Sequence, residues 1–389
     1  MTTRRRVAVL GATGSIGRQT LDVLRLEPDS FELVSIAGGT RLAELAQVAK
    51  EFHVRRVGVS RPEDYIAARE ILGDGVEVVV GGDGLAELAT DADVVVNAVV
   101  GFAGLPVTIS ALAAGRTLAL ANKESFIAAA PLVERVRDTP GASVLPIDSE
   151  HCAIYQCLAD SNTGPGHPDV RRLLLTASGG PFRGWSRERL ESVTRHEALK
   201  HPTWSMGPKI TIDSSTLMNK GLEVLEASAL FGIDVERIDV VVHPQSIVHS
   251  MVEYVDGSVI AQLSQPDMRL PIAFCLGRPI RFDHAWGALD FTKAQSLTFE
   301  PPDVDAFPAL PLAYAAARRA GAAPAWLSAA NEVAVAAFLH DEIAWTDIVP
   351  IVSAVMDQFD DAPLRSVEDL VAHDAQARRR ATAVIVGGR

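Results

Sequence analysis

Short apolar runs alternate with amphipathic segments over the first third of the chain. The runs VAVL, VEVVV and VVVNAVV are nearly continuous in apolar residues, whereas SIGRQTLDVLRL repeats its apolar residues every three or four positions. Nearly continuous runs are typical of parallel strands buried on both faces, and the longer repeat is typical of the helices that cover them. The pattern therefore predicts an α/β domain with a parallel sheet over residues 1–147.

The pattern changes beyond this region. Segments punctuated by glycine and proline surround the predicted strands VRRLLLTAS, IDVVVH and IVHSMVEYVDGSVIAQL, which indicates an α+β domain over residues 148–278. Residues 279–308 are proline-rich and weakly periodic, as in a linker. Residues 309–389 are alanine-rich and amphipathic, and they predict a C-terminal helical domain. We expect the insert at residues 161–169 to be a surface loop without function.

Composition and charge exclude several classes of protein. The 389 residues carry a formal net charge of −13, whereas a nucleic-acid coat needs a basic surface, so we expect no nucleic-acid partner. The uncharged stretch from Val94 to Gly115 is interrupted by Asn97 and Pro106, so we expect no membrane span. Arginines near the start lead directly into a predicted strand rather than a signal peptide, which predicts a soluble, cytoplasmic protein. The three cysteines form no CxxC motif and are expected to be reduced, packed thiols.

A glycine-rich turn follows the first predicted strand. Gly11, Gly14 and Gly17 stand between that strand and the first helix, where glycines allow a tight turn and close approach of the backbone to a pyrophosphate. This arrangement favours a Rossmann-like, dinucleotide-binding domain. The alternative is a strand-to-helix turn that binds nothing.

The end of the second predicted strand indicates which dinucleotide is bound. An NAD site usually has an acid there, but this strand ends in Gly38, Gly39, Thr40 and Arg41. NADP is therefore favoured, and Arg41 is a candidate for contact with its 2′-phosphate.

Three acids are candidates for a divalent metal site. Asp148 and Glu150 follow the short strand SVLPI, and in an extended segment residues i and i+2 point to the same side. Glu223 lies in DSSTLMNKGLEVLEA, which predicts one helix with Glu226 a turn further on. Together with Glu223, the first two acids would suit Mg²⁺ or Mn²⁺. The alternative is a solvent-exposed acidic loop, and the spacing alone does not require the three acids to meet.

Further polar residues suggest a phosphate pocket and a lid. The pocket would be formed by hydroxyl, amide and ammonium groups from Ser178, Ser214, Ser215, Asn219 and Lys220, although serine and asparagine also cap helices. The lid would be a proline- and glycine-rich flap at about residues 196–208 that carries His201 and Trp204, although the tryptophan could simply pack. Asn122, Lys123 and Glu124 follow the strand TLALA, at a sheet edge where ligands bind.

These segments resemble the motifs of the 1-deoxy-D-xylulose 5-phosphate reductoisomerase family. The resemblance covers essentially the whole chain. The motifs that carry it, in the family's order, are GATGSIG, NKES, IDSEHCAIYQCL, TASGGPF, LKHPTWSMGPKITIDSSTLMNKGLEVLEA, HPQSIVHSMVEY, QPDMRLPIA and AANEVAVAAFL. It implies an enzyme of non-mevalonate isoprenoid biosynthesis that uses NADPH and Mg²⁺ or Mn²⁺. The enzyme would rearrange 1-deoxy-D-xylulose 5-phosphate and reduce the product to 2-C-methyl-D-erythritol 4-phosphate. The resemblance also implies a homodimer.

The resemblance further implies residue roles. The metal ligands would be Asp148, Glu150 and Glu223. The catalytic residues would be these three with Lys123 and His201. The substrate would be bound by Lys123, Ser149, Glu150, Ser178, His201, Trp204, Ser214, Asn219, Lys220 and Glu223. NADPH would be bound by Thr13, Gly14, Ser15, Ile16, Gly38, Asn122, Glu124 and Gly207. Where some members have Gly-Lys-Asn, this chain has Gly38, Gly39 and Thr40, so the family's 2′-phosphate contacts do not transfer directly.

Two other functions compete with this interpretation. A semialdehyde dehydrogenase would need a nucleophilic cysteine, for which Cys152 is the candidate near a charged cluster. A nucleotide-sensing protein without catalysis would have no need of three converging acids and Lys123.

Overall fold

The computed structural model describes residues 4–158, 166–293, 296–361 and 364–388. It divides into two compact units. The first unit comprises Met1–Phe126, Val133–Cys152 and Asp267–Trp286, and the second comprises Ile127–Leu132, Ala153–Pro266 and Gly287–Arg389. Of the predicted surface loop, residues 161–165 lie outside the described ranges.

The first unit contains a seven-stranded parallel sheet, as the apolar runs predict. Its strands are β1 (Arg5–Leu10), β2 (Phe31–Gly38), β3 (Arg56–Val59), β4 (Glu77–Val80), β5 (Val94–Asn97), β6 (Thr117–Leu120) and β7 (Ser143–Pro146). They are ordered β4-β3-β2-β1-β5-β6-β7. The central strand β1 buries Val7, Ala8, Val9 and Leu10 completely, because helices cover both faces of a parallel sheet. The Rossmann-like prediction is confirmed.

The second unit contains a smaller, mixed sheet. Its strands are β8 (Val170–Ala177), β9 (Ile238–Val242), β10 (Val248–Tyr254) and β11 (Val259–Leu263), in the order β11-β10-β8-β9. Strands β8 and β9 are parallel, whereas β10 is antiparallel to both β8 and β11. This confirms the predicted α+β character of the region.

Helices make up most of the remaining described structure. They are α1 (Ser15–Leu26), α2 (Leu42–Glu51), α3 (Tyr65–Leu72), α4 (Gly81–Leu88), α5 (Leu105–Ala113), α6 (Lys123–Ala128), α7 (Ala130–Arg137), α8 (Ser149–Cys157), α9 (Arg187–Leu190), α10 (Arg195–Ala198), α11 (Pro208–Ser215), α12 (Met218–Phe231), α13 (Arg269–Gly277), α14 (Ala309–Arg319), α15 (Ala323–Leu339), α16 (Ile348–Met356) and α17 (Val367–Gly387). None of the helices in the described ranges combines the length and apolar character needed to cross a lipid bilayer.

The predicted C-terminal helices pack around one tryptophan. Trp326 of α15 is fully buried, its indole nitrogen donates to His373 of α17 at 3.0 Å, and its ring lies 5.2 Å from that of Phe359. An aromatic ring that is buried together with a hydrogen-bond partner stabilises such a core. The alanine-rich helical segment therefore forms a packed core within the second unit.

The compact units do not follow the predicted domain bounds. Helix α13, expected in the region 148–278, belongs to the first unit, where it packs against α1. Its residue Cys275 donates its thiol to the Pro146 carbonyl at 3.2 Å, and the Phe282 ring beyond it lies 5.5 Å from that of Phe31. The functional domain bounds themselves stay a prediction.

Candidate active site

The glycine turn of the first unit has the close contacts that its sequence predicts. A Cβ atom on Gly11, whose φ is +101°, would lie 2.3 Å from the Ala98 carbonyl oxygen. A Cβ on Gly17 would lie 2.2 Å from the Gly11 carbonyl oxygen. Only glycine allows such contacts, and the helix that follows begins at Ser15 with an extended Gly14 before it. Free N–H groups at this helix start suit a phosphate group.

The other predicted NADPH contacts near this turn come from the end of β2. Gly38 is the last residue of β2, and Thr13 in the turn is 5% exposed. A Cβ on Gly38 would lie 3.4 Å from the Thr13 hydroxyl, so little space remains between strand and turn. The Arg41 guanidinium, just before α2, donates to the Thr13 carbonyl. Ser15 and Ile16 follow in the first turn of α1.

Asn122 and Asn97 hold the loop after β5. The buried Asn122 amide donates to the carbonyls of Val99 at 2.6 Å and Gly101 at 2.8 Å. The fully buried Asn97 amide donates to the Gly104 carbonyl at 2.9 Å. The Asn122 side chain thus orders the loop from within the unit. Asn97 was not predicted as a residue that positions the site. A polar residue at the end of a fully apolar strand is nevertheless expected to be buried with a hydrogen-bond partner.

A lysine and an aspartate form a buried pair at the carboxyl ends of two neighbouring strands. The Lys123 Nζ donates to Asp148 Oδ2 at 2.6 Å, with the two side chains 6% and 13% exposed. Lys123 begins α6, and Glu124 is the next residue along this helix. The His151 Nδ1 lies 2.9 Å from Asp148 Oδ1. His151 is fully buried, and no pattern in the sequence marks it as a partner of Asp148.

The extended conformation predicted for Asp148–Glu150 is wrong. Glu150 lies in the first turn of α8, and Asp148 precedes that helix and accepts from the Glu150 backbone N–H at 3.2 Å. An aspartate in this position satisfies a free N–H group of the helix, which outweighs continued extension. The Ser149 hydroxyl donates to Glu150 Oε2 at 2.6 Å. Both carboxylates still lie together, now at a helix N-terminus that favours negative charge.

Ser178 and His201 meet in the second unit. The Ser178 hydroxyl lies 3.0 Å from His201 Nε2. His201 Nδ1 accepts from the backbone N–H groups of Thr203 at 3.1 Å and Trp204 at 2.9 Å, so Nε2 carries the ring proton and donates to Ser178. The Trp204 ring lies 6.2 Å from the His249 ring. The predicted flap therefore contacts the predicted phosphate pocket.

The second lysine–carboxylate pair lies within one helix. The Lys220 ammonium and the Asn219 amide both donate to the Glu223 carboxylate. The Lys220 and Glu223 side chains are 4% and 1% exposed. Helical spacing of three and four residues brings these groups onto one face.

The prediction of a single helix across this segment is wrong. Helix α11 ends at Ser215 and α12 begins at Met218, because Leu217 adopts a left-handed backbone conformation with φ +61°. The Thr216 hydroxyl accepts from the Met218 N–H at 3.3 Å and so satisfies one donor at the new helix start. Ser214 therefore lies on α11, separated from the residues of α12.

Helix α11 is anchored by a buried aspartate that sequence reasoning missed. Asp213 is fully buried, accepts from the Asn331 amide at 2.7 Å and lies 2.8 Å from the Lys209 ammonium. Gly207, a predicted NADPH contact, precedes the helix, and its carbonyl accepts from the Thr211 hydroxyl at 2.8 Å. A buried charged group with polar partners fixes the position of the helix that carries Ser214.

The three predicted metal ligands are divided between the units. Asp148 and Glu150 belong to the first unit and Glu223 to the second.

The cysteine required by the dehydrogenase alternative is inaccessible. Cys152 is 1% exposed, and all three cysteines are free and buried, as expected of packed thiols. Burial also raises the pKa of the Cys275 thiol, close to Cys152. A thiol with almost no exposed surface cannot reach a substrate, which disfavours the semialdehyde dehydrogenase.

Three family models match the chain. The 1-deoxy-D-xylulose 5-phosphate reductoisomerase model matches residues 7–130, and the model of this enzyme's C-terminal domain matches residues 144–231. A further DXP reductoisomerase C-terminal domain model matches residues 263–380.

Curated relatives and solved structures give the same result over nearly the full length. The 1-deoxy-D-xylulose 5-phosphate reductoisomerase of Synechocystis sp. is 49% identical over 383 residues, which cover 96% of each chain. That of Zymomonas mobilis in complex with NADPH is 44% identical, with a TM-score of 0.91 over 98% of this chain and 99% of the other. A DOX-P reductoisomerase in complex with NADPH, fosmidomycin and magnesium is 42% identical, with a TM-score of 0.93 over 98% of each chain.

Proposed function

The chain belongs to the 1-deoxy-D-xylulose 5-phosphate reductoisomerase family, and from this premise we propose how its residues divide the reaction. The enzyme uses NADPH and a divalent metal ion to convert 1-deoxy-D-xylulose 5-phosphate in isoprenoid biosynthesis. The observation that carries the residue roles is a buried lysine–carboxylate pair in each unit, Lys123–Asp148 and Lys220–Glu223, each within a family motif.

The glycine turn would bind the dinucleotide. NADPH supplies the hydride for the reduction. The start of α1, with Thr13, Gly14, Ser15 and Ile16, would stabilise the pyrophosphate through its free N–H groups. Further contacts would come from Gly38, Asn122, Glu124 and Gly207. Since the Asn122 side chain already holds the loop after β5, we expect it to contribute mainly by fixing the backbone there.

Asp148, Glu150 and Glu223 would hold the metal ion. Their donor set is all oxygen, which is what Mg²⁺ and Mn²⁺ prefer. A divalent ion bound there would act as a Lewis acid toward the oxygens of the substrate. Lys123 offsets the charge of Asp148 in a water-poor position, and as a residue beside the substrate it would help to orient the reacting carbonyl.

Ser178, Ser214, Asn219 and Lys220 would bind the phosphate group of the substrate. Lys220 contributes the positive charge, and the hydroxyl and amide groups contribute neutral hydrogen bonds. His201 donates to Ser178 and so orients its hydroxyl. The flap that carries His201 and Trp204 would close over the bound substrate and exclude water. Ser149 would contact the oxygens of the substrate beside Glu150.

The test of this function is NADPH consumption with 1-deoxy-D-xylulose 5-phosphate, followed by absorbance. We expect activity with added Mg²⁺ or Mn²⁺, loss of activity after chelation, recovery on metal addition, and inhibition by fosmidomycin. The Cys152→Ala variant is expected to retain full activity, because this thiol is buried. Unchanged turnover after exhaustive chelation would contradict the metal-dependent mechanism. Loss of activity in Cys152→Ala with an intact fold would restore the dehydrogenase alternative.

We also propose that the enzyme is a cytoplasmic homodimer. Strand β11 lies at the edge of the second sheet, and its Val259 and Ile260 are 50% and 47% exposed. Such an edge favours pairing with a second copy. Analytical ultracentrifugation should report twice the 41.5 kDa chain mass, and a monomer at micromolar concentration would contradict the dimer.

A further inference from the structure

Two arginines and a glutamate form a cluster beside the glycine turn. The Arg18 Nε and Nη2 atoms donate to Glu44 Oε1 at 2.5 Å and Oε2 at 2.7 Å. The Arg41 Nε lies 3.7 Å from Glu44 Oε2, and Arg41 also donates to the carbonyl of Thr13 in the turn. The Arg41 side chain is 49% exposed, so its guanidinium remains accessible to a ligand.

This position corresponds to the adenosine end of a dinucleotide bound to such a fold. The pyrophosphate lies at the glycine turn, and the adenosine ribose lies outside the end of the second strand. Strand β2 ends at Gly38, and a Cβ on Gly39 would meet no atom within 4 Å, so the backbone there is open. Neither Gly39 nor Thr40 supplies the carboxylate that binds the ribose hydroxyls of NAD.

Glu44 is the acid in the first turn of α2, and Arg18 already holds both of its oxygens. The hydrogen bond from Arg18 lowers the pKa of the Glu44 carboxyl, and the charge of Arg41 lowers it further. Glu44 therefore stays ionised, but its charge is offset by a bidentate partner. Arg41 has a single, longer ion-pair contact with Glu44 at 3.7 Å, which a phosphate group can replace.

We infer that Arg41 binds the 2′-phosphate of NADPH and is the residue by which this chain prefers NADPH to NADH. The inference rests on the proposed function, since it concerns the cofactor of that reaction. Arg18 is a positioning residue here, because it holds both oxygens of Glu44 and leaves Arg41 only the longer contact with that carboxylate. A guanidinium forms two parallel hydrogen bonds with phosphate oxygens, which gives both charge and geometry.

Helices α1 and α2 also contain an ion pair that serves as a matched control. Arg25 and Glu51 lie seven residues beyond Arg18 and Glu44, and Arg25 donates to both carboxylate oxygens of Glu51 at 2.6 Å and 2.9 Å. Arg25 lies in the last turn of α1, whereas the glycine turn precedes its first turn. The Arg25→Gln variant therefore removes an equivalent ion pair between α1 and α2 without touching the nucleotide end of the helix.

The test is calorimetric titration of the full-length chain and of its Arg41→Gln, Arg41→Lys and Arg25→Gln variants. The ligands are NADPH, NADH, adenosine 2′,5′-bisphosphate and AMP. We expect Arg41→Gln to weaken NADPH and the bisphosphate by about 10- to 100-fold, the effect of losing a charge-assisted phosphate contact. NADH and AMP should change by less than about 2-fold, and Arg41→Lys should recover part of the loss. Arg25→Gln should bind all four ligands like the unaltered chain.

Two results would overturn the inference. An unchanged NADPH-to-NADH ratio in Arg41→Gln would show that Arg41 does not read the phosphate. Equal weakening of NADPH and NADH would show that Arg41 only holds the Thr13 carbonyl. A different result, failure of the unaltered chain to bind NADPH at all, would instead contradict the proposed function.

Discussion

The two lysine–carboxylate pairs have the same chemistry but different origins. Lys123 and Asp148 are 25 residues apart, and they meet in the first unit with side chains 6% and 13% exposed. Lys220 and Glu223 are three residues apart on one helix of the second unit, with side chains 4% and 1% exposed. One pair thus depends on sheet topology, and the other depends on helical periodicity.

The difference shows what brings the two residues of each pair together. Strands β6 and β7 are parallel neighbours, and Leu120 pairs with Pro146 at their ends. Lys123 lies three residues beyond the end of β6 and Asp148 two residues beyond the end of β7, so the register of the sheet brings them together. The helical pair needs no such long-range contact, because residues three apart share a face of any helix.

The largest expected effect is loss of catalysis when either half of the proposed metal site is changed. Glu223→Gln and Asp148→Asn should each lower NADPH oxidation by at least about 10³-fold, since each removes a charged metal ligand. Both variants should still bind NADPH in a calorimetric titration. Binding of Mn²⁺, followed by electron paramagnetic resonance, should weaken in both.

The same two variants test whether Asp148 and Glu223 both bind the metal ion. If Asp148→Asn kept its activity and Mn²⁺ affinity while Glu223→Gln lost both, Glu223 would bind the metal ion and Asp148 would not. Circular dichroism spectra like that of the unaltered enzyme are the control for folding.

A smaller effect is expected on stability when each lysine is removed. Lys220→Met removes the ammonium that donates to the nearly inaccessible Glu223 carboxylate, and we expect a loss of about 3 kcal/mol in the free energy of unfolding. Lys123→Met should lose only about 1 kcal/mol, because Asp148 is more exposed and keeps its contact with His151. Urea unfolding curves for the unaltered enzyme and both variants measure this difference.

Lys293 supplies the matched control for that measurement. It lies three residues from Asp290 at 3.0 Å, but the two side chains are 80% and 48% exposed. We expect Lys293→Met to change the free energy of unfolding by less than about 0.5 kcal/mol. Equal losses of unfolding free energy in Lys220→Met and Lys123→Met would show that the burial of the carboxylate does not set the size of the loss.

Much of the fold could be predicted from periodicity. The valine-rich runs correctly predict the parallel strands of the first unit, and the alanine-rich pattern predicts the helices after residue 309. The residues at which helices start and break were harder to predict. The break at Leu217 and the helix start after Asp148 both depend on side chains that satisfy backbone N–H groups, and such bonds compete with regular structure over one or two residues.

The contacts that position the candidate site could not be predicted in this way. Asn331 and Asp213 are 118 residues apart, yet their side chains form a buried hydrogen bond at 2.7 Å that anchors the helix carrying Ser214. The Asn122 amide likewise holds the loop after β5 through carbonyls that lie 23 and 21 residues away along the chain. Such pairings depend on which elements pack together, which no local pattern reveals.

The sequence by itself determined most of the element types, the glycine turn, the family motifs and the three-residue spacing that pairs Lys220 with Glu223 in a helix, because all of these depend on neighbouring residues. Only the tertiary structure decided the Lys123–Asp148 pair and the hydrogen bond from Arg41 to the Thr13 carbonyl. The physical reason is that sheet register and burial arise from contacts between distant segments, and these contacts decide which charged groups meet in a water-poor environment.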